Sequence, residues 1–73
     1  SRRWRSNMSN ANLTGVKVRM SRRRQKLTQQ ELADKAEITK PHVSMIESGK
    51  RTPSLDVLNR LAKALKVKPG ELL

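Results

Sequence analysis

Residues 27–50 read LTQQELADKAEITKPHVSMIESGK, and this stretch contains the start signals of two short helices. Thr28 is followed by Glu31 at the spacing of a capping box, in which the hydroxyl and the carboxylate each satisfy a backbone N–H that the helix leaves free. Thr39 is closely followed by Pro41, and a proline in the first turn of a helix removes no helical hydrogen bond. The stretch therefore predicts two helices joined by a very short connection.

The same signals, read outward from this stretch, predict a chain of helices with tight joints. We expect helices over residues 13–25 and 29–36, a third from the cap Thr39 to Gly49, a fourth over residues 55–65 behind the cap Ser54, and a short last turn that begins at Pro69. The first segment carries mixed signals, because Val16, Val18 and Met20 alternate as in a strand while the following arginines favour a helix. The fourth has the most regular apolar spacing, and its predicted core residues are Leu55, Leu58, Leu61, Ala62 and Leu65, onto which Leu72 is expected to fold back.

Composition limits the chain to one small domain with a strong positive charge. The 73 residues have room for a single core, and a helical bundle is the natural solution at this size. Lysine and arginine number 17 against 6 acidic residues, which gives a formal net charge of +11 and a field that concentrates polyanions. Nucleic acid is therefore the expected partner. The absence of cysteine excludes disulfides, zinc–thiolate sites and thiol nucleophiles.

The beginning of the chain differs in character from the rest. Met8 is a candidate native start, in which case the preceding SRRWRSN is a leftover of cloning. Residues 1–12 are polar enough to form a disordered basic arm, which leaves residues 13–73 as the folded domain. Because no apolar run reaches the length of a membrane span and no signal-peptide pattern is present, we expect a cytoplasmic protein with no membrane partner.

Two short helices separated by the residues EIT form the frame of a helix-turn-helix. The motifs LTQQELA, IESGKRTPS and LNRLAKAL resemble those of the Cro/XRE-type helix-turn-helix domain of phage and bacterial repressors, over residues 15–73. The resemblance implies an all-α, five-helix lambda-repressor-like bundle. It also implies a transcriptional regulator that binds double-stranded DNA as a homodimer on a two-fold symmetric operator, more often a repressor, in the nucleoid of a bacterial or phage-infected cell.

The resemblance assigns roles to three sets of residues. Base readout falls to the solvent side of the third helix, where lysine can donate to guanine and an apolar group can touch a thymine methyl: Lys40, Pro41, His42, Ser44 and Met45. Phosphate contacts fall to the starts of two helices and to the loop after the third: Thr28, Gln29, Thr39, Ser48, Lys50, Arg51 and Thr52. Glu47 is expected to form a largely buried ion pair with Arg22.

Two positions depart from the family pattern. Glu37 stands where the turn usually carries glycine, which predicts a strained backbone, a different backbone or a looser turn. Ser21 stands where the first helix is usually apolar, and we expect Met20 to move inward in compensation.

Other functions stay open at this stage. The same fold serves as a bridging, coactivator-like interaction module, for which an apolar patch on the third helix would be needed. Non-specific binding of nucleic acid, RNA included, is a further alternative, in which Trp4 stacks on a base. We expect neither an enzyme nor a metal or cofactor site, since one histidine, no cysteine and six scattered acids offer no nucleophile–base pair and no ligand cluster.

Overall fold

A computed structural model describes residues 10–73, and this part of the chain is helical with no strand. The elements are helix α1 over Asn10–Arg24, α2 over Gln29–Ala36, α3 over Lys40–Ser48, α4 over Leu55–Leu65 and a 3-10 helix over Pro69–Leu72. The predicted all-α class is confirmed, but the count of five helices is not supported, since residues 10–73 contain four α-helices and one 3-10 helix. The last segment has four residues and hydrogen bonds between residues three apart, because so short a segment cannot build an α-helical ladder.

Helix α1 begins three residues before the predicted position and ends one residue early. Residues 1–9, most of the predicted arm, lie outside the described residues. None of the described helices has the length and apolar character that crossing a membrane requires.

The predicted caps fix the starts of the other three α-helices. Thr28 Oγ1 accepts from the Glu31 N–H at 3.0 Å, and a Glu31 carboxylate oxygen accepts from the Thr28 N–H at 2.8 Å, which completes the capping box. Thr39 and Ser54 each accept from the backbone N–H three residues further on, both at 3.2 Å. These bonds satisfy donors that a helix start leaves free, so α2, α3 and α4 begin where the sequence predicts.

The turn between α2 and α3 contains a left-handed residue. Glu37 has φ 60° and ψ 42°, so of the predicted outcomes the structure has the strained backbone, in a conformation that glycine adopts more easily. The Glu37 N–H donates to carbonyl oxygens of the last turn of α2. The Glu37 carbonyl oxygen accepts from Arg60 Nη1 at 3.4 Å. The turn is therefore tight without glycine, and α3 follows α2 after three residues.

A single core lies between the helices. Its buried side chains come from every element: Val18 of α1, Leu32, Ala33 and Ala36 of α2, Val43 and Ile46 of α3, Leu58, Leu61, Ala62 and Leu65 of α4, and Leu72 of the 3-10 helix. Leu55 was expected there but is 73% exposed, because it occupies the first position of α4 and Leu58, one turn later, is the first to reach the core. Met20 is 56% exposed, so the predicted compensation for Ser21 is wrong; Met20 lies on the outer side of α1.

Candidate nucleic-acid interface

Helix α3 divides its residues between the core and the outer surface. Val43, Ile46 and Glu47 are buried, and their spacing of three and four places them on one side of the helix. The predicted base-reading residues all lie on the remaining surface: Lys40, Pro41 and Ser44 are exposed, and His42 and Met45 are half-buried. The outer face of α3 therefore carries an ammonium group, an imidazole and a hydroxyl beside two apolar groups, and these can hydrogen-bond or touch base edges.

The residues predicted to contact phosphates lie at three places, and the fold brings two of them together, the start of α2 and the loop after α3; Thr39 lies at the start of α3. Gln29 Nε2 donates to Glu47 Oε1 at 3.1 Å, so the start of α2 lies against the end of α3. The segment 48–52, named the clamp loop here, follows Glu47 directly. Apart from half-buried Gln29, all members of the predicted phosphate set are exposed, namely Thr28, Thr39, Ser48, Lys50, Arg51 and Thr52. Positive charge and polar donors thus border the end of α3.

Several donors of the clamp loop are already used within the protein. The backbone N–H groups of Lys50 and Arg51 both donate to the Met45 carbonyl oxygen, at 2.9 and 3.2 Å. Ser48 Oγ donates to the same oxygen at 3.1 Å. These bonds complete the end of α3 and fix the loop, and they leave the Lys50 ammonium and the Arg51 guanidinium as its charged donors for an external anion.

Glu47 is the buried charge that joins three helices. Its side chain is 1% exposed, and its carboxylate accepts from Arg22 Nε at 2.6 Å and from Arg22 Nη2 at 3.1 Å. Arg22, 11% exposed, also donates from Nη1 to the Leu27 carbonyl oxygen at 2.8 Å. The structure thus contains the ion pair in a two-pronged geometry, with Gln29 as a further donor to the carboxylate.

Sequence reasoning missed two residues of α1 that meet the end of α3. A Cβ atom on Gly15 would lie 2.3 Å from the Ile46 carbonyl oxygen and 2.7 Å from the Glu47 carbonyl oxygen, so α1 approaches α3 more closely than alanine permits. Arg19 donates from Nη2 to the Glu47 carbonyl oxygen at 3.1 Å. The signal for Gly15 was a glycine inside a predicted helix, since a residue of poor helix propensity at such a position can mark a close backbone approach.

The arrangement of α2, a three-residue turn and an α3 with a polar outer face is that of a helix-turn-helix. A family model described as helix-turn-helix matches residues 18–72, and the chain belongs to this family.

Three relatives illustrate the range of this similarity. The control protein C.BamHI of Bacillus amyloliquefaciens is 39% identical over 62 residues, which are 84% of this chain and 76% of that protein. The crystal structure of the restriction-modification controller protein C.AhdI of Aeromonas hydrophila superposes with a TM-score of 0.86 at 30% identity, covering 90% of this chain and 100% of that one. An uncharacterised HTH-type transcriptional regulator of Mycobacterium tuberculosis is 38% identical over 53 residues, and the match spans 38% of its length.

Proposed function

We propose that this protein is a transcriptional regulator that binds double-stranded DNA in a sequence-specific manner. The observation that carries the proposal is the polar outer face of α3, bordered at its end by the clamp loop and by the start of α2. In this arrangement α3 enters the major groove, and the clamp loop and the start of α2 contact phosphates beside the groove. The relatives described as a transcriptional regulator, a control protein and a restriction-modification controller protein support it.

The roles follow from the chemistry of the side chains. Lys40 and Ser44 hydrogen-bond to base edges near the start and middle of α3, and His42 contributes a further ring N–H. Pro41 and Met45 supply apolar contact to thymine methyl groups. Lys50 and Arg51 bind phosphates and set the register of the protein on the duplex, a contribution that carries no sequence information.

One copy of α3 is too short to select a site in a genome. Nine residues rise about 13 Å along the helix axis, a span of roughly four base pairs. We therefore propose that two copies bind a two-fold symmetric operator, with half-sites about one helical turn apart, and that binding represses transcription. A regulator of this kind works where the chromosome lies, which places it on the nucleoid in the bacterial cytoplasm.

Selection of duplexes from a random library at moderate salt tests the proposal. We expect enrichment of a palindromic motif, and no enrichment of any motif would refute sequence-specific binding.

Two lysine variants then separate base readout from phosphate contact. Lys40→Ala should lower the ratio of operator affinity to non-operator affinity, by roughly five- to a hundredfold if its contact is bidentate. Lys50→Ala should weaken both affinities by a similar factor and reduce the salt slope by about one.

A further inference from the structure

The last carbonyl groups of α3 do not all have backbone partners. The last four carbonyls of a helix lack intrahelical partners and need donors from elsewhere. The Met45 oxygen receives the N–H groups of Lys50 and Arg51, and the Ile46 oxygen receives the N–H of Gly49 at 3.2 Å. The Glu47 oxygen instead receives Arg19 Nη2 at 3.1 Å, so a side chain of α1 caps the end of α3.

Arg19 has a second contact with the same residue. Its Nε lies 3.7 Å from Glu47 Oε1, while Arg22 holds the carboxylate at shorter distances. Among the described residues, Arg19 is therefore the one side chain that holds both the main chain and the carboxylate of Glu47. Its own side chain is 41% exposed, so its position is determined by these contacts rather than by burial.

The spacing on α1 explains how one helix can hold the end of another. Gly15, Arg19 and Arg22 follow one another at intervals of four and three, which places them on one face of α1. Gly15 allows the approach to the carbonyl groups, Arg19 donates to one of them, and Arg22 neutralises the carboxylate. A positive side chain at a helix C-terminus also interacts favourably with the helix dipole.

We propose that Arg19 is a positioning residue for DNA binding, an inference that rests on the proposed function. Arg19 fixes the point where the chain leaves α3 and enters the clamp loop. It thereby holds the phosphate contacts of Lys50 and Arg51 at a set distance from the base-reading face of α3. A small displacement of this point changes the distance between the phosphate contacts and the base contacts. A bound operator needs both sets of contacts at the same time.

The first experiment needs no DNA. Amide hydrogen exchange is measured at Gly49, Lys50 and Arg51 in the wild type, in Arg19→Ala and in the charge-matched control Arg23→Ala, an exposed arginine of the same helix. We expect Arg19→Ala to raise exchange roughly three- to tenfold at these amides and Arg23→Ala to leave it unchanged, since a part-exposed charged hydrogen bond makes a modest contribution. Equal exchange in the two variants would overturn the proposal.

The second experiment compares affinity for the selected operator with affinity for an unrelated duplex. We expect Arg19→Ala to lower the ratio of these affinities about three- to tenfold beyond the effect of Arg23→Ala, which should weaken both through lost charge. Denaturation of each variant establishes its folded fraction.

The outcomes separate the two proposals. A ratio that falls equally in Arg19→Ala and Arg23→Ala, both folded, makes Arg19 a charge and not a positioning residue. If the wild type prefers no duplex, the proposed function fails, and so does the role of Arg19 in DNA binding. Faster exchange in Arg19→Ala would then still establish the contact as a cap of α3.

Discussion

The Glu47 carboxylate is buried and negatively charged, and several donors compensate it. Arg22 supplies two of the hydrogen bonds and Gln29 a third. Removing one partner of a buried ion pair costs more than the pair contributes, because the remaining charge is left without compensation. We expect Arg22→Ala to lower the free energy of unfolding by about 3 kcal/mol, the low end of the usual range because Arg19 and Gln29 stay in place.

Urea denaturation measures this loss, and a second substitution identifies its source. Adding Glu47→Gln to Arg22→Ala removes the uncompensated charge, so the double variant should recover part of the lost stability. A double variant that loses the sum of the two single effects would contradict the assignment to an unpaired carboxylate.

Replacing Glu37 with glycine is expected to stabilise the protein. A left-handed conformation costs roughly 1–2 kcal/mol for a residue with a Cβ atom, whereas glycine adopts it at the cost of more chain entropy. Since Glu37 has φ 60°, we expect Glu37→Gly to raise the free energy of unfolding by about 0.5–1 kcal/mol. The measurement is the urea midpoint at unchanged m-value. Glu37→Ala keeps the Cβ atom and is the control; an equal gain there would assign the effect to the lost charge.

Apart from the Arg22–Glu47 pair, which the family resemblance implied, residue-level features were predictable where their partners are near in sequence. The capping box of Thr28 and Glu31 and the cap Thr39 join atoms three residues apart, so a short stretch of sequence includes both partners of each hydrogen bond. The contact of Arg19 with the Glu47 carbonyl oxygen joins residues 28 positions apart. Its acceptor is a main-chain atom, which every residue has, so no residue type indicates it.

At the scale of elements, α1 and α3 are held together at Gly15. The two carbonyl oxygens that a Cβ atom would meet belong to the backbone and cannot rotate away, so Gly15→Ala must push the helices apart. Alanine gains about 1 kcal/mol in helix propensity, but we expect a net loss of about 2 kcal/mol in the free energy of unfolding. Chemical denaturation measures it.

Gly70 provides the control for this prediction. A Cβ atom there meets nothing within 4 Å, so Gly70→Ala should change stability by less than about 0.5 kcal/mol. If Gly15→Ala is as stable as Gly70→Ala, α1 and α3 do not approach as closely as the structure has them.

The boundaries of the elements were predictable to the extent that capping residues mark them. Helices α2, α3 and α4 carry both a polar cap and an apolar repeat, and they begin at the predicted residues. Helix α1 has no such cap in the predicted segment, and its start was placed three residues late. The exposure of Leu55 was not predicted. The spacing of apolar residues predicts which face of a helix is buried, but it does not predict how far along that helix the packed elements extend.

At the scale of the whole molecule, charge acts over a longer range than any single contact. The chain has a net charge of +11, and Arg2, Arg3 and Arg5 contribute three of these charges before the described residues begin. Each phosphate that a protein neutralises releases counterions, so the logarithm of the affinity falls with the logarithm of the salt concentration in proportion to the number of such contacts. The strength of binding and its preference for one sequence are therefore separable.

Deleting residues 1–7 tests that separation. The net charge falls from +11 to +8, since three arginines leave, and we expect the salt slope on the selected operator to become shallower by no more than about three. The ratio of operator to non-operator affinity should stay constant, because the proposed base-reading residues belong to α3. Fluorescence anisotropy across roughly 50–200 mM salt measures both quantities, and replacing the three arginines with glutamine in the intact chain is the matched control. A truncated protein that loses its preference for the operator would show that the first residues read bases, and the readout could then not be assigned to α3 alone.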